Sequence, residues 1–141
     1  MSNNEKTLSI IKPDAVERNL QDQIKNEFKN NGFEILKEKK IHISKEEAEK
    51  FYKVHESKPF YNDLCAYLSS GPIVVMSLQK ENAVLENRKL MGATNPKDAD
   101  EGTLRKKYGI SIDKNSVHGS DSVENAKIEL DFFFKDYLKT Y

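Results

Sequence analysis

The 141-residue sequence has one cysteine, no tryptophan and no surplus of charge, with 23 basic and 23 acidic side chains. A lone Cys65 excludes an internal disulfide. Together with three dispersed histidines it offers no ligand spacing for zinc. Balanced charge excludes the global basic field of a dedicated nucleic-acid binder, so any anion site has to be local. No apolar run approaches the roughly 20 residues that span a bilayer. Met1 to Lys6 is polar, without signal or transit character. A cytoplasmic protein with no membrane partner is expected. A Gly-x-x-x-x-Gly-Lys-(Ser/Thr) phosphate loop is missing too.

What is present supports one folded domain over residues 1–141. Leu, Ile, Val and Phe number 35, above the roughly one-fifth level that marks disorder. Thr7 to Ile11 reads as a strand closed by Lys12-Pro13, with Lys12 extended at its end. Asn19 is expected to cap a helix from Leu20, where Leu20, Ile24 and Phe28 share a face. Gly32 closes that helix. Phe33 to Ile43 reads as a strand whose alternation is interrupted by charge. Ser44 and Glu47 form a capping box for a helix from Lys45 to Tyr52. Phe60 to Leu68 and Ala83 to Met91 read as helices, with the apolar strand Ile73 to Leu78 between them. The stretch from Gly92 to Asn115 is polar and long, expected to be mostly irregular and functional. Ser116 to His118 is a short run before a helix from Ser122 to Phe134. This order suits an α+β ferredoxin-like sandwich: a four-stranded antiparallel sheet with helices on one face.

The last helix carries the first chemical signal. Val123, Ala126, Leu130, Phe133, Phe134 and Tyr137 make an apolar face, and Glu129 falls on it. A carboxylate there needs a partner. The helix follows His118-Gly119-Ser120-Asp121, so Glu129 can reach back and orient the imidazole. An imidazole with an unperturbed pKa of about 6.5 is a competent nucleophile at neutral pH. Gly119 would admit a phosphate, and the amides of Ser120 to Ser122 would add positive potential.

Asn115-Ser116-Val117-His118-Gly119-Ser120-Asp121 resembles the Asn-x-x-His-Gly-Ser-Asp signature of nucleoside diphosphate kinases. The likeness extends over Thr7 to Val16, Lys58-Pro59-Phe60, Ser70-Gly71-Pro72, Gly92 to Pro96 and Gly102 to Arg105. It implies ping-pong transfer of a γ-phosphate from a nucleoside triphosphate to a diphosphate, with Mg²⁺ as cofactor. His118 would take the phosphate on Nδ1, with Glu129 on the other ring nitrogen and Ser120 supporting the helix start. Lys12 would reach the phosphate and the sugar, and Tyr52 would orient Lys12 or the phosphohistidine. Arg88, Thr94 and Arg105 would grip the phosphates, and Asn115 the ribose. Phe60 and Ile112 would sandwich the base beside Leu64. A slot that holds a base only by its faces predicts low base specificity. The metal would be held mainly by substrate phosphates, with Asp121 in its outer shell.

Taken singly, most of these residues have plainer readings. Lys12 is an ordinary strand-end lysine, Arg88-Lys89 a solvated helix face, Arg105-Lys106-Lys107 a surface cluster, and Phe60, Leu64 and Tyr52 core. His42 is read as structural, His55 as adjacent to the site, and Cys65 as a buried small hydrophobe. Val54 departs from the family, standing where many members carry an acid. A homo-oligomer is expected; Pro96 favours a hexamer, and the short C-terminal tail leaves a tetramer open. The alternative to an enzyme is a non-catalytic nucleotide-binding regulator on the same fold.

Overall fold

The computed structural model describes residues 4–112 and 114–134. The side chain of Val54, Asp113 and Tyr137 lie outside the described residues. The chain runs β1 (Asn4–Ile11), α1 (Pro13–Glu17), α2 (Gln21–Asn30), β2 (Glu34–Ile41), α3 (Lys45–Phe51), α4 (Tyr61–Leu68), β3 (Ile73–Glu81), α5 (Ala83–Met91), α6 (Leu104–Tyr108), β4 (Val117–Gly119) and α7 (Val123–Phe133). The strands form one antiparallel sheet in the order β2-β3-β1-β4. This is the ferredoxin-like arrangement expected from the sequence.

The helices, however, cover both faces. Leu8 and Ile10 of β1, with Ile73 and Val75 of β3, pack against α3, α4 and α7 through Ala48, Cys65, Leu68, Leu130 and Phe133. Ile11, with Val74, Met76 and Leu78, packs on the opposite side against Ala15, Ile24, Phe28, Ala83, Met91 and Leu104. Successive strand residues point to opposite faces. The nearly unbroken apolar run of β3 reflects this two-sided burial.

The impure alternation of β2 has a structural cause. Ile35 and Ile41 are an even number of residues apart, yet Ile35 packs with the second cluster and Ile41 with the first. The register shifts between Ile35 and Lys37, so that Ile35 pairs with Leu78 while Lys37 pairs with Ser77. That extra residue is a β-bulge, which exchanges the faces beyond it.

Ser44 and Glu47 do form the capping box of α3. Asn19 does not cap α2: it sits at φ 59, in the left-handed region that Asn tolerates, and Leu20 takes the N-cap position. The short α1 before it, absent from the sequence reading, makes that reversal necessary. The segment 92–115 is also more regular than expected. Thr103 caps α6 by accepting from Lys106 N, and Leu104 is buried. His42 Nε2 lies 2.8 Å from Ser69 O, a structural contact, and Cys65 is buried and free. Among the described residues no helix is long and apolar enough to cross a membrane.

Gly119 pairs with Ser9 on the face that α5 covers. A Cβ there would lie 2.8 Å from Met91 Cε and closer still to Asn87 Nδ2. The glycine therefore lets α5 approach the sheet. Asn87 and Met91 are themselves buried and have little slack. Gly119→Ala is expected to cost ~1–3 kcal/mol, as overpacked cores do. A urea unfolding midpoint equal to that of the parent chain would show that α5 gives way freely.

Candidate active site

The site begins at β4, whose His118 stands opposite Ile10 in the register. Its ring therefore shares the face of α3 and α7. Phe51 meets it edge-on with centroids 5.4 Å apart, and Tyr52 at 6.4 Å. From α7, Glu129 Oε1 lies 3.3 Å from His118 Nε2. The same oxygen accepts from Ser120 Oγ at 2.8 Å. Ser120 in turn accepts from Leu8 N–H at 3.3 Å, which ties the carboxylate to β1. The start of α7 is capped by Ser122, which accepts from Asn125 N, so Ser120 serves Glu129 and the strand more than the helix end. A carboxylate on Nε2 fixes a proton there and leaves Nδ1 as the ring's basic nitrogen. Burial, followed by the negative fields of Glu129 and Cys65, pushes the Tyr52 phenol well above its ordinary range. Tyr52 is accordingly a neutral group beside the imidazole.

Three cations flank this strand. Lys12 is buried at the end of β1, and its Nζ donates to Asn115 Oδ1 at 3.0 Å. Arg105 donates from its two terminal nitrogens to Gly92 O and Val117 O, each at 3.0 Å. Its guanidinium is thus fastened to the peptide next to His118. Burial, and then the like charge of Arg88, push the Arg105 pKa down to about 10. Among the described residues neither Arg88 nor Arg105 forms a salt bridge. Two neighbouring guanidinium groups without a carboxylate are an unfavourable arrangement that a polyanion would relieve.

A cleft of about 480 Å³ opens beside these groups, lined among others by Lys12, Phe60, Leu64, Thr94, Ile112 and Asn115. Phe60 and Ile112 are 48% and 52% exposed. Large apolar side chains that face a concavity and remain half in water suit a flat apolar ligand. Asn115 links cleft and cations: its Nδ2 donates to Thr94 O at 3.0 Å while its Oδ1 accepts from Lys12. His55 adjoins the cleft as expected, its ring tilted against those of Tyr52 and Phe60.

The step from Asn115 to His118 is strained. Val117 N–H donates to Asn115 O at 2.9 Å across Ser116, whose φ is 75. A three-residue turn of this hand is rare outside glycine, and such residues cost about 1–3 kcal/mol. No group of three or more His, Cys, Asp or Glu side chains among the described residues could hold a metal ion. Asp121 Oδ1 accepts from Asn125 Nδ2 at 2.6 Å. A divalent cation held mainly by a ligand's phosphates needs no such group.

An oriented imidazole, two neighbouring guanidinium groups and an apolar slot stand together on a ferredoxin-like sheet. Comparison with known proteins makes this specific. The nucleoside diphosphate kinase family model matches residues 5–138, and the chain belongs to that family. It is 59% identical over 131 residues to a nucleoside diphosphate kinase of Campylobacter jejuni, covering 93% of this chain and 96% of that protein. It is 57% identical over 131 residues to one of Rhizorhabdus wittichii, covering 93% and 94%. The solved nucleoside diphosphate kinase of Aquifex aeolicus superposes with a TM-score of 0.92 at 36% identity, covering 94% of this chain and 96% of that one. That of Encephalitozoon cuniculi gives 0.90 at 38% identity, covering 94% and 90%.

The structure gathers Lys12, Phe60, Leu64, Thr94, Ile112 and Asn115 in the cleft. It places Tyr52, Ser120 and Glu129 around His118, with Arg105 bound beside it and Arg88 near enough to perturb Arg105. Asp121 alone is engaged elsewhere, by Asn125. Phe51 was missed, although its adjacency to Tyr52 at the end of α3 was visible. Asp63, Tyr67 and Lys114 also line the cleft, and no periodicity pointed to them. Arg88→Gln should leave the ligand-free thermal midpoint unchanged or raised, because it removes a like charge. It should also weaken nucleotide binding on the order of 10-fold, as for a lost charge-assisted bond. A lowered ligand-free midpoint would show instead that Arg88 has a structural partner.

Proposed function

We propose that this chain transfers the γ-phosphate of a nucleoside triphosphate to a nucleoside diphosphate through a phosphohistidine at His118. The observation that carries the reading is the Glu129 oxygen on His118 Nε2, 3.3 Å away, which leaves Nδ1 to act. Nδ1 attacks the γ-phosphorus, a P–N bond forms, and the bond to the β,γ-bridging oxygen breaks as the diphosphate leaves. Glu129 steadies the positive charge that grows on the ring. A second diphosphate then attacks the phosphorus with a terminal oxygen, the P–N bond breaks, and the imidazole is restored. The two half-reactions share one site, so they run in ping-pong order.

Lys12, Arg88, Arg105 and Thr94 position the phosphates, which is most of what phosphoryl transfer asks of a protein. Asn115 and Lys12 meet the sugar, and Phe60, Ile112 and Leu64 hold the base by its faces. Affinity then comes from groups common to all nucleotides, and base preference is low. Mg²⁺ carried by the substrate phosphates would supply charge neutralisation, and Asp121, whose Oδ1 accepts from Asn125, would serve its outer shell through the other carboxylate oxygen. The active form is a homo-oligomer of the cytoplasm, a hexamer in preference to a tetramer, with nucleotides as partners. Nucleic acid is not a main partner, given the balanced charge.

The test is to mix the protein with γ-labelled ATP and Mg²⁺ without acceptor. Acid-labile, base-stable label on the protein, released by a different diphosphate as labelled triphosphate, is expected. His118→Ala should abolish it, and Arg105→Ala should slow it on the order of 10²–10³-fold, as for lost transition-state donors. Nucleotide-binding protein that never takes label would sink the covalent mechanism and leave a non-catalytic regulator.

A further inference from the structure

Behind the Lys12–Asn115 pair stands a buried carboxylate that the transfer reaction does not touch. Asp14, one residue past Pro13 at the start of α1, is buried. Its Oδ2 accepts from Ser116 Oγ at 2.8 Å and from Arg18 Nη2 at 3.0 Å. Its Oδ1 accepts from the Tyr67 hydroxyl, and its own N–H donates to that hydroxyl oxygen at 2.9 Å. Arg18 Nη2 also donates to Ser116 Oγ at 3.2 Å and to Tyr108 O at 2.6 Å. Tyr108 O lies 3.0 Å from Ser116 Oγ as a second acceptor for its proton.

Ser116 is the central residue of the strained turn, and the family signature leaves its identity open. Lys12 and Asn115 lie on either side of this junction. Lys12 N–H donates to Ser116 O at 2.8 Å, so the backbone of one partner is tied to the turn that carries the other. Replacing the serine hydroxyl would remove the side-chain anchor that ties the centre of that turn to Asp14 and Arg18. A turn held against its own preference should then relax, and Asn115 would move relative to Lys12 Nζ.

We propose that Ser116, held by Asp14 and Arg18, is a positioning residue that sets the Lys12–Asn115 pair against the 3′-hydroxyl of the bound sugar. This rests on the reading above in which that pair meets the sugar. The clamp touches no reacting atom; it acts through the two residues that do. Its signature is therefore selective for substrates that carry the hydroxyl.

The experiment compares single-turnover phosphorylation of His118 by dATP and by 2′,3′-dideoxy-ATP, in the parent chain and in Ser116→Ala. The parent is expected to prefer dATP. Ser116→Ala is expected to lower kcat/KM for dATP on the order of 10-fold, the usual scale of one hydrogen bond to a charged group. The dideoxy rate should stay within about 2-fold, since that substrate has no 3′-hydroxyl for the pair to meet and keeps only the Lys12 contact to its phosphate. Arg18→Ala, at a part-exposed position, should shrink the same ratio in the same direction, and decides the question if the serine variant fails to fold. Equal losses on both substrates, or an unchanged ratio, overturn the clamp. A parent chain that phosphorylates His118 but does not distinguish the two substrates overturns the sugar assignment itself, and one that takes no label overturns the transfer reading.

Discussion

One carboxylate oxygen, Oε1 of Glu129, faces both His118 Nε2 and the Ser120 hydroxyl. The chemistry around β4 depends on that oxygen. It sits on a helix whose neighbouring positions, Ala126, Leu130 and Phe133, are locked in the core beside Leu8 and Ile10. An acid in such surroundings is tolerable only with donors on it. Ser120 and His118 supply them, and Leu8 N–H fixes Ser120 to the neighbouring strand. The ring is thus aimed by the packing of α7 on the sheet, with Phe51 and Tyr52 closing its flanks.

The cationic side of the site follows a different logic. There the protein leaves like charges near one another, Arg88 by Arg105. Arg105 is secured through carbonyl oxygens, which hold a guanidinium in place without cancelling its charge. Fixed, uncompensated donors cost folding energy but need no rearrangement when an anion arrives. The cleft beyond them takes its walls from the start of α4 and the segment before β4, parts of the chain far apart in sequence that the fold brings together.

Much of this was legible in the sequence, and the failures are instructive. The α7 face displayed Glu129 as an acid among apolar residues, and the motif around His118 named its partner. The succession of the four strands and the longer helices along the chain followed from turn signals and periodicity. Two-sided burial of the sheet was not foreseen, because periodicity places α2 and α5 along the chain without saying which face of the sheet they cover, and α1 and α6 are single turns too short for a 3.6-residue period to register. Asn19 was misassigned because capping and left-handed turns favour the same residue types. Gly119 was read for its place beside a nucleophile, while its actual constraint comes from Asn87 and Met91, about thirty residues earlier in sequence. The links from Asp14 to Tyr67 and Ser116 cross 53 and 102 residues and leave no local pattern.

The bulge in β2 carries a consequence for how this chain tolerates change in length. A strand is a binary code in which odd and even positions address different cores. The extra residue between Ile35 and Lys37 is a one-unit phase shift in that code, written midway along the strand. It lets a single edge strand contribute Ile35 to one core and Ile41 to the other. Straightening the strand without shortening it would send one of the two isoleucines to the wrong address, whereas deleting the extra residue would leave them an odd number of residues apart and address both cores without a bulge. The irregularity in β2 thus absorbs a one-residue excess in the sequence, and it marks a point where this chain should accept a single deletion.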